Sequence, residues 1–119
     1  MGNFNKMEVW KTSKDLAVQI YKITSKGKFS HDYSLKDQIR RAAVSIPSNL
    51  AEGEESIFAK VSIKFFSIAN ASLAELRTQI EIAKEIGYIN DSEYYTLSES
   101  MVILSRRINR LIQYRQKHQ

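Results

Sequence analysis

The chain has 119 residues, 43% of them hydrophobic and 26% charged, and no cysteine. That is the length of one domain with enough apolar content for a core, and it excludes a disulfide framework, a thiolate metal site and a thiol nucleophile. The formal net charge is +5, and all of it resides at one end: residues 1–99 hold 13 basic and 13 acidic side chains, whereas residues 100–119 hold Arg106, Arg107, Arg110, Arg115 and Lys117 and no acid. An excess of this kind suits an anionic partner such as RNA or DNA, although cations also favour a helix C-terminus. Met1 to Lys6 lack the apolar segment of a signal peptide, and no stretch is apolar enough to span a bilayer. The reading is therefore a cytoplasmic protein with no membrane association.

A first helix is predicted over about residues 7–24, where Val9, Ser13, Leu16, Ile20 and Ile23 recur at four-then-three spacing. Trp10, Ala17 and Tyr21 form a second stripe beside it, and Gly27 marks the stop. A polar loop with Phe29 and Tyr33 follows. A second helix over about 34–53 opens at Ser34, with Asp37 three residues on in an imperfect capping box. Leu35, Ile39, Ala42, Ala43, Ile46 and Leu50 line its core face. Pro47 removes the amide bond back to Ala43, so this helix is predicted to be kinked there, a break at Ile46 being the alternative.

The third helix is predicted over about 56–86, with Gly87 as its stop. Phe58, Val61, Phe65, Ile68, Ala69, Leu76, Ala83 and Ile86 gather on one face, and Phe66, Leu73 and Ile80 widen it. So broad an apolar surface is usually covered on more than one side, which implies a second subunit. The candidate interface residues are Trp10, Tyr21, Ile63, Ile103 and Tyr114. A fourth helix over about 91–115 begins at an Asn90–Glu93 capping box with an Ile89–Tyr94 hydrophobic staple. Its seam is Leu97, Met101, Leu104, Ile108 and Leu111. The fold expected for residues 1–119 is one all-α domain, an antiparallel up-down-up-down four-helix bundle.

Catalytic chemistry finds no set of residues to support it. His31 lies in a loop and His118 at the chain end, neither at the spacing of a di-iron bundle, and the glycines stand alone rather than in a phosphate loop. No catalytic residue, cofactor or metal is expected, and His31-Asp32 reads as a solvated pair. Glu52, Glu54 and Glu55 read as acids favouring the start of the third helix. Arg106, Arg110, Gln113 and Lys117 follow i, i+4, i+7, i+11 spacing, opposite the Leu97–Leu111 seam, with Arg107 beside them. Arg40 and Arg41 fall off the core face of the second helix, Arg41 one turn after Asp37 and placed to pair with it. Arg106, Arg107, Arg110 and Lys117, then Arg40 and Arg41, are the candidate nucleic-acid contacts, directed mainly at phosphates. The alternative is a protein–protein scaffold whose basic stripe only confers solubility.

The run from Gln38 through Arg40-Arg41-Ala42-Ala43-Val44-Ser45-Ile46-Pro47-Ser48-Asn49-Leu50-Ala51-Glu52 to Gly53 strongly resembles the signature of the four-helix proteins encoded by intervening sequences in bacterial 23S ribosomal RNA genes. The segment from Phe65 to Leu76 is similar to that family's third helix, and Val9-Trp10 and Tyr33-Ser34-Leu35 extend the likeness over nearly the whole chain. The resemblance implies a bundle assembling as a ring, commonly a pentamer. It also implies a relation to the accessory variability protein of diversity-generating retroelements, which binds nucleic acid and a reverse transcriptase through a basic surface. Within the signature, Ala42 and Ala43 permit close helix approach, and Asn49 and Glu52 are placed to bond backbone groups freed by Pro47.

Overall fold

The structure, a computed structural model, describes residues 4–118. Four helices make the fold: α1 (Glu8–Thr24), α2 (Tyr33–Glu55), α3 (Ala59–Glu85) and α4 (Asp91–Lys117). Short 3-10 turns lie at Phe4–Lys6 and Gly27–His31, and the described residues contain no strand. The fold is thus the all-α four-helix bundle expected. Each helix packs on its neighbours in sequence and α4 closes back on α1, while α1 and α3, like α2 and α4, lie diagonally. Glu81 late in α3 meets Tyr94 early in α4, and Ser62 early in α3 meets Arg115 late in α4, so these two helices run in opposite directions.

The helix ends follow from local chemistry. After α1, Thr24 and Ser25 donate their hydroxyls back to the Ile20 and Tyr21 carbonyls, each at 2.7 Å, and Gly27 turns the chain with φ +54°. α2 starts one residue earlier than the sequence suggested, because Asp32 rather than Ser34 is the cap. Its Oδ1 accepts from Leu35 N–H at 3.1 Å, and its Oδ2 accepts from the Tyr88 hydroxyl at 2.9 Å. One carboxylate thereby ties the α1–α2 connection to the α3–α4 connection, over the fully buried Phe29 that packs 5.1 Å from the Tyr88 ring. α3 ends in a Schellman turn: Tyr88 N–H donates to Ala83 O and Gly87 N–H to Lys84 O, with Gly87 at φ +82°. The Asn90–Glu93 capping box is present, with bonds of 2.8 and 2.9 Å, and starts α4.

α2 continues unbroken through Pro47 and on to Glu55. The acids Glu52, Glu54 and Glu55 therefore lie in its last turn, where the helix dipole disfavours them, rather than in a loop before α3. α3 begins only at Ala59, because the Ser56 hydroxyl accepts from Phe58 N–H at 3.2 Å and holds a turn ahead of the helix.

The inward face of α3 is the largest correction to the sequence reading. Its buried residues are Ser62, Phe66, Ala69, Leu73, Leu76, Gln79, Ile80 and Ala83. Phe58, Val61, Ile68 and Ile86, grouped above on one face with Ala69, Leu76 and Ala83, are exposed, Phe58 to 65% and Ile68 to 39%. The helix carries two apolar stripes, and periodicity alone does not say which one turns inward. The choice is made at α2: a Cβ on Gly53 would sit 2.5 Å from the Phe66 ring, so Phe66 occupies the space that only glycine leaves. Gly53→Ala should therefore destabilise the protein by about 1–3 kcal/mol in urea denaturation, overpacking outweighing alanine's better helix propensity. An unchanged or raised midpoint would contradict this packing.

Candidate nucleic-acid interface

α4 buries Leu97, Met101, Leu104 and Ile108 and turns its opposite face outward. Arg106, Arg110 and Lys117 lie on that outer face, all exposed. None makes a hydrogen bond or ion pair with a described residue, the ion pairs among those residues being Lys11–Glu8 and Lys14–Asp15. From Arg106 to Lys117 the helix rises about 16 Å, a length over which one strand of B-form DNA presents about five phosphates. Tyr114, 58% exposed, flanks this stripe and packs 4.1 Å from the His118 ring.

The other arginines are committed elsewhere to different degrees. Arg107 donates to Thr12 Oγ1 at 3.0 Å and pins α4 to α1. Arg115 turns inward: its Nη2 donates to the buried Ser62 hydroxyl at 2.8 Å, and its Nε is buried with no partner among the described residues. Arg40 closes the end of α1, donating to Thr24 Oγ1 at 2.9 Å, Ser25 Oγ at 3.0 Å and the Tyr21 carbonyl at 3.4 Å. Its guanidinium also covers the Tyr21 ring at 4.4 Å. Arg41 is exposed in a shallow cleft with Asp37 and Val44, but the expected Asp37–Arg41 ion pair is not formed among the described residues. α2 and α4 being diagonal, Arg41 faces away from the α4 stripe, and the six candidate contacts form no single patch.

The apolar candidates are also dispersed. Trp10 is half-buried against the core with Phe4 edge-on at 5.2 Å, and Ile63 is half-buried. Tyr21 lies beneath Arg40, while Ile103 and Tyr114 share the outer face of α4 with the arginines. Exposed apolar residues also run along α3 and at its ends, Ile57, Phe58, Val61, Ile68, Ile82 and Ile86; sequence reasoning placed four of them on one apolar face but named none among the interface candidates. It also missed Tyr95, exposed at the start of α4. Two tyrosines have shifted pKa values: hydrogen bonds to Asp32 and Glu81 raise the Tyr88 and Tyr94 phenols above the ordinary value, since each carboxylate stabilises the protonated form. Among the described residues, no three histidine or carboxylate side chains converge as a metal-binding set, and no helix is long and apolar enough to cross a membrane.

Residues 5–110 match the family described as 23S rRNA-intervening sequence protein. The chain belongs to that family. A crystal structure of a protein of unknown function from the S23 ribosomal protein family of Bacteroides thetaiotaomicron VPI-5482 superimposes with a TM-score of 0.81 at 22% identity, covering 87% of this chain and 97% of that one. No curated protein matches the chain. Neither match carries an indication of enzymatic activity. In this intervening-sequence protein the signature run is a structural joint. Ala42, Ala43, Ile46, Leu50 and Gly53 are buried, and the Ser45 and Ser72 hydroxyls meet at 2.8 Å to tie α2 to α3. Asn49 donates its side-chain amide to the Ser45 carbonyl at 2.8 Å rather than to the Ala43 carbonyl that Pro47 frees, and Glu52 is exposed and bonds no described backbone group.

This sorting of arginines is measurable as stability. Arg40→Ala should cost about 1 kcal/mol, since it strips hydrogen bonds from the end of α1. Arg106→Ala should change stability by no more than about 0.5 kcal/mol. Thermal melts of the two variants followed by circular dichroism check this, and equal melting temperatures would refute it.

Proposed function

We propose that this family member is a non-enzymatic, homo-oligomeric bundle of the cytoplasm that binds RNA or DNA electrostatically through the outer face of α4, as an accessory to other nucleic-acid machinery. The observation that carries this reading is the stripe of Arg106, Arg110 and Lys117, exposed and unpaired with any described residue. A helix dipole does not account for it. The dipole's pull on cations fades within the last turn, and Arg106 and Arg110 stand two to three turns before the end of α4 at Lys117. The scarcity of ion pairs among the described residues supports the same reading, for Arg106, Arg110 and Lys117 have no use within the described chain. If phosphates are their partners, binding to unrelated sequences should weaken steeply with salt, and Arg106→Glu with Arg110→Glu should make that dependence shallower by about two counterions. Tight binding that ignores salt would overturn the mechanism.

The exposed apolar stripe of α3 supports self-association. Six large side chains along α3 and at its two ends, interrupted at Glu75, form an exposed apolar surface of the kind that marks an interface. Light scattering should give an oligomer, and Ile68→Glu should shift it toward monomer without loss of helicity. A monomeric wild-type protein at micromolar concentration would refute this part. The same stripe favours a second reading, a scaffold for another protein with no nucleic-acid binding. A partner retained after nuclease treatment, with no affinity for nucleic acid, would select that reading.

A further inference from the structure

Phosphate binding makes no use of the N-terminal half of α4's outer face. There Tyr95, Ser98, Glu99, Val102, Ile103 and Arg106, all on α4, line a shallow, open cleft. Tyr95 is 64% exposed, yet its ring is held in place. Tyr94 meets it edge-on at 5.4 Å and 70°, and Lys84 Nζ lies 5.6 Å from its centroid. Tyr94 is itself anchored, its hydroxyl donating to Glu81 and its ring lying 4.2 Å from Lys84 Nζ. The cleft thus offers a propped aromatic ring, an aliphatic floor from Val102 and Ile103, and a guanidinium that continues into the basic stripe.

We propose that this cleft is a stacking subsite for an unpaired nucleobase, so that the nucleic acid held by α4 is a single strand or loop rather than a closed duplex. The inference rests on the phosphate-binding reading above. Every base has a π-face that an aromatic side chain can cover, but in a duplex those faces are already stacked on neighbouring bases. With a base against Tyr95, the strand runs about 16 Å along the helix, so that a phosphate several nucleotides on falls to Arg106, and continues toward Arg110 and Lys117. Glu99, on the rim, repels phosphate and accepts a hydrogen bond from an exocyclic amino group, which further favours the base over the backbone at this point.

Fluorescence anisotropy with four labelled probes of about 16 nucleotides, the upper site size of single-strand modules, tests this. The probes are a mixed-sequence RNA strand, the same sequence as DNA, its closed DNA duplex, and an abasic DNA strand. Both single strands should bind about tenfold tighter than the duplex or the abasic strand, a ratio set by one stacked base. Tyr95→Ala should bring that ratio close to one, and Tyr95→Trp should preserve it, with circular dichroism confirming that both variants fold. A preference between the RNA and DNA strands names the source of the base, and either preference supports the subsite. Equal affinity of the wild-type protein for all four probes, falling with salt, would overturn the subsite and leave the phosphate reading standing. So would a Tyr95→Ala variant that loses the same factor on every probe. No binding to any probe would overturn both.

Discussion

The contact on which the rest of the architecture depends is the seat of Phe66 against Gly53. α3 has apolar residues around most of its circumference, so its rotation about its own axis is not determined by hydrophobicity alone. Placing a buried ring where residue 53 lacks a side chain fixes that rotation. Leu73 and Ile80, one and two heptads further on, then fall into the core, and Val61, Ile68 and Ile82 are turned outward. Rotating α3 toward its other stripe would bury Glu75, unpaired, in place of Leu73 or Leu76, at a cost no aliphatic gain offsets. A glycine in a helix is a weakness by propensity. Here it is what lets two helices interlock.

Around this joint, polar side chains serve mainly to close helix ends and tie connections together. Asp32 caps α2 with one oxygen and holds Tyr88 with the other, and Arg40 gathers three acceptors at the end of α1. Buried or half-buried groups that are satisfied in this way leave the frame rigid and remove those residues from the pool available to a partner. What remains is informative for that reason. A protein that finds an internal use for Arg40, Arg107 and Arg115 leaves Arg106, Arg110 and Lys117 bare on a single helix face. Isolated cations in water cost little, so their bareness does not threaten stability. Their alignment on one side of α4, beyond the reach of the helix-end dipole, is what folding alone does not require.

How much of this was legible in the sequence depended on the range of the interactions involved. The Asn90–Glu93 box and the Gly87 stop were readable because they are closed by residues within a turn of one another. The seam of α4 was readable because Leu97, Met101, Leu104 and Ile108 recur at four-then-three spacing, with the basic stripe opposite them. The start of α2 was displaced because Asp32 and Ser34 are both good caps, and the choice went to Asp32, whose second oxygen gains Tyr88, 56 residues away. The phase of α3 was missed because two apolar stripes compete, and the choice rests on Gly53 of another helix together with Glu75, which interrupts the outer stripe. Arg40 and Arg41, adjacent and alike in sequence, differ because only Arg40 faces the end of α1. Of the candidate site, the α4 stripe could be read from spacing, but Tyr95 could not, because its significance comes from Lys84 and Tyr94 holding the ring.

The signature that identifies the family and the surface proposed to bind are different parts of the molecule. The run from Gln38 to Gly53 supplies small residues for helix approach, a serine that ties α2 to Ser72 of α3, an asparagine that bonds Ser45 within α2, and the glycine under Phe66. Those features specify a fold and would serve a bundle with any partner. The basic stripe lies on the diagonal helix, and Lys117 falls beyond the matched residues 5–110. The match identifies the fold, and fold by itself does not convey function. The physical case for binding has to rest on the charges themselves: that they are exposed, that they are unpaired with any described residue, and that Arg106 and Arg110 stand where neither the core nor the helix dipole has a use for them.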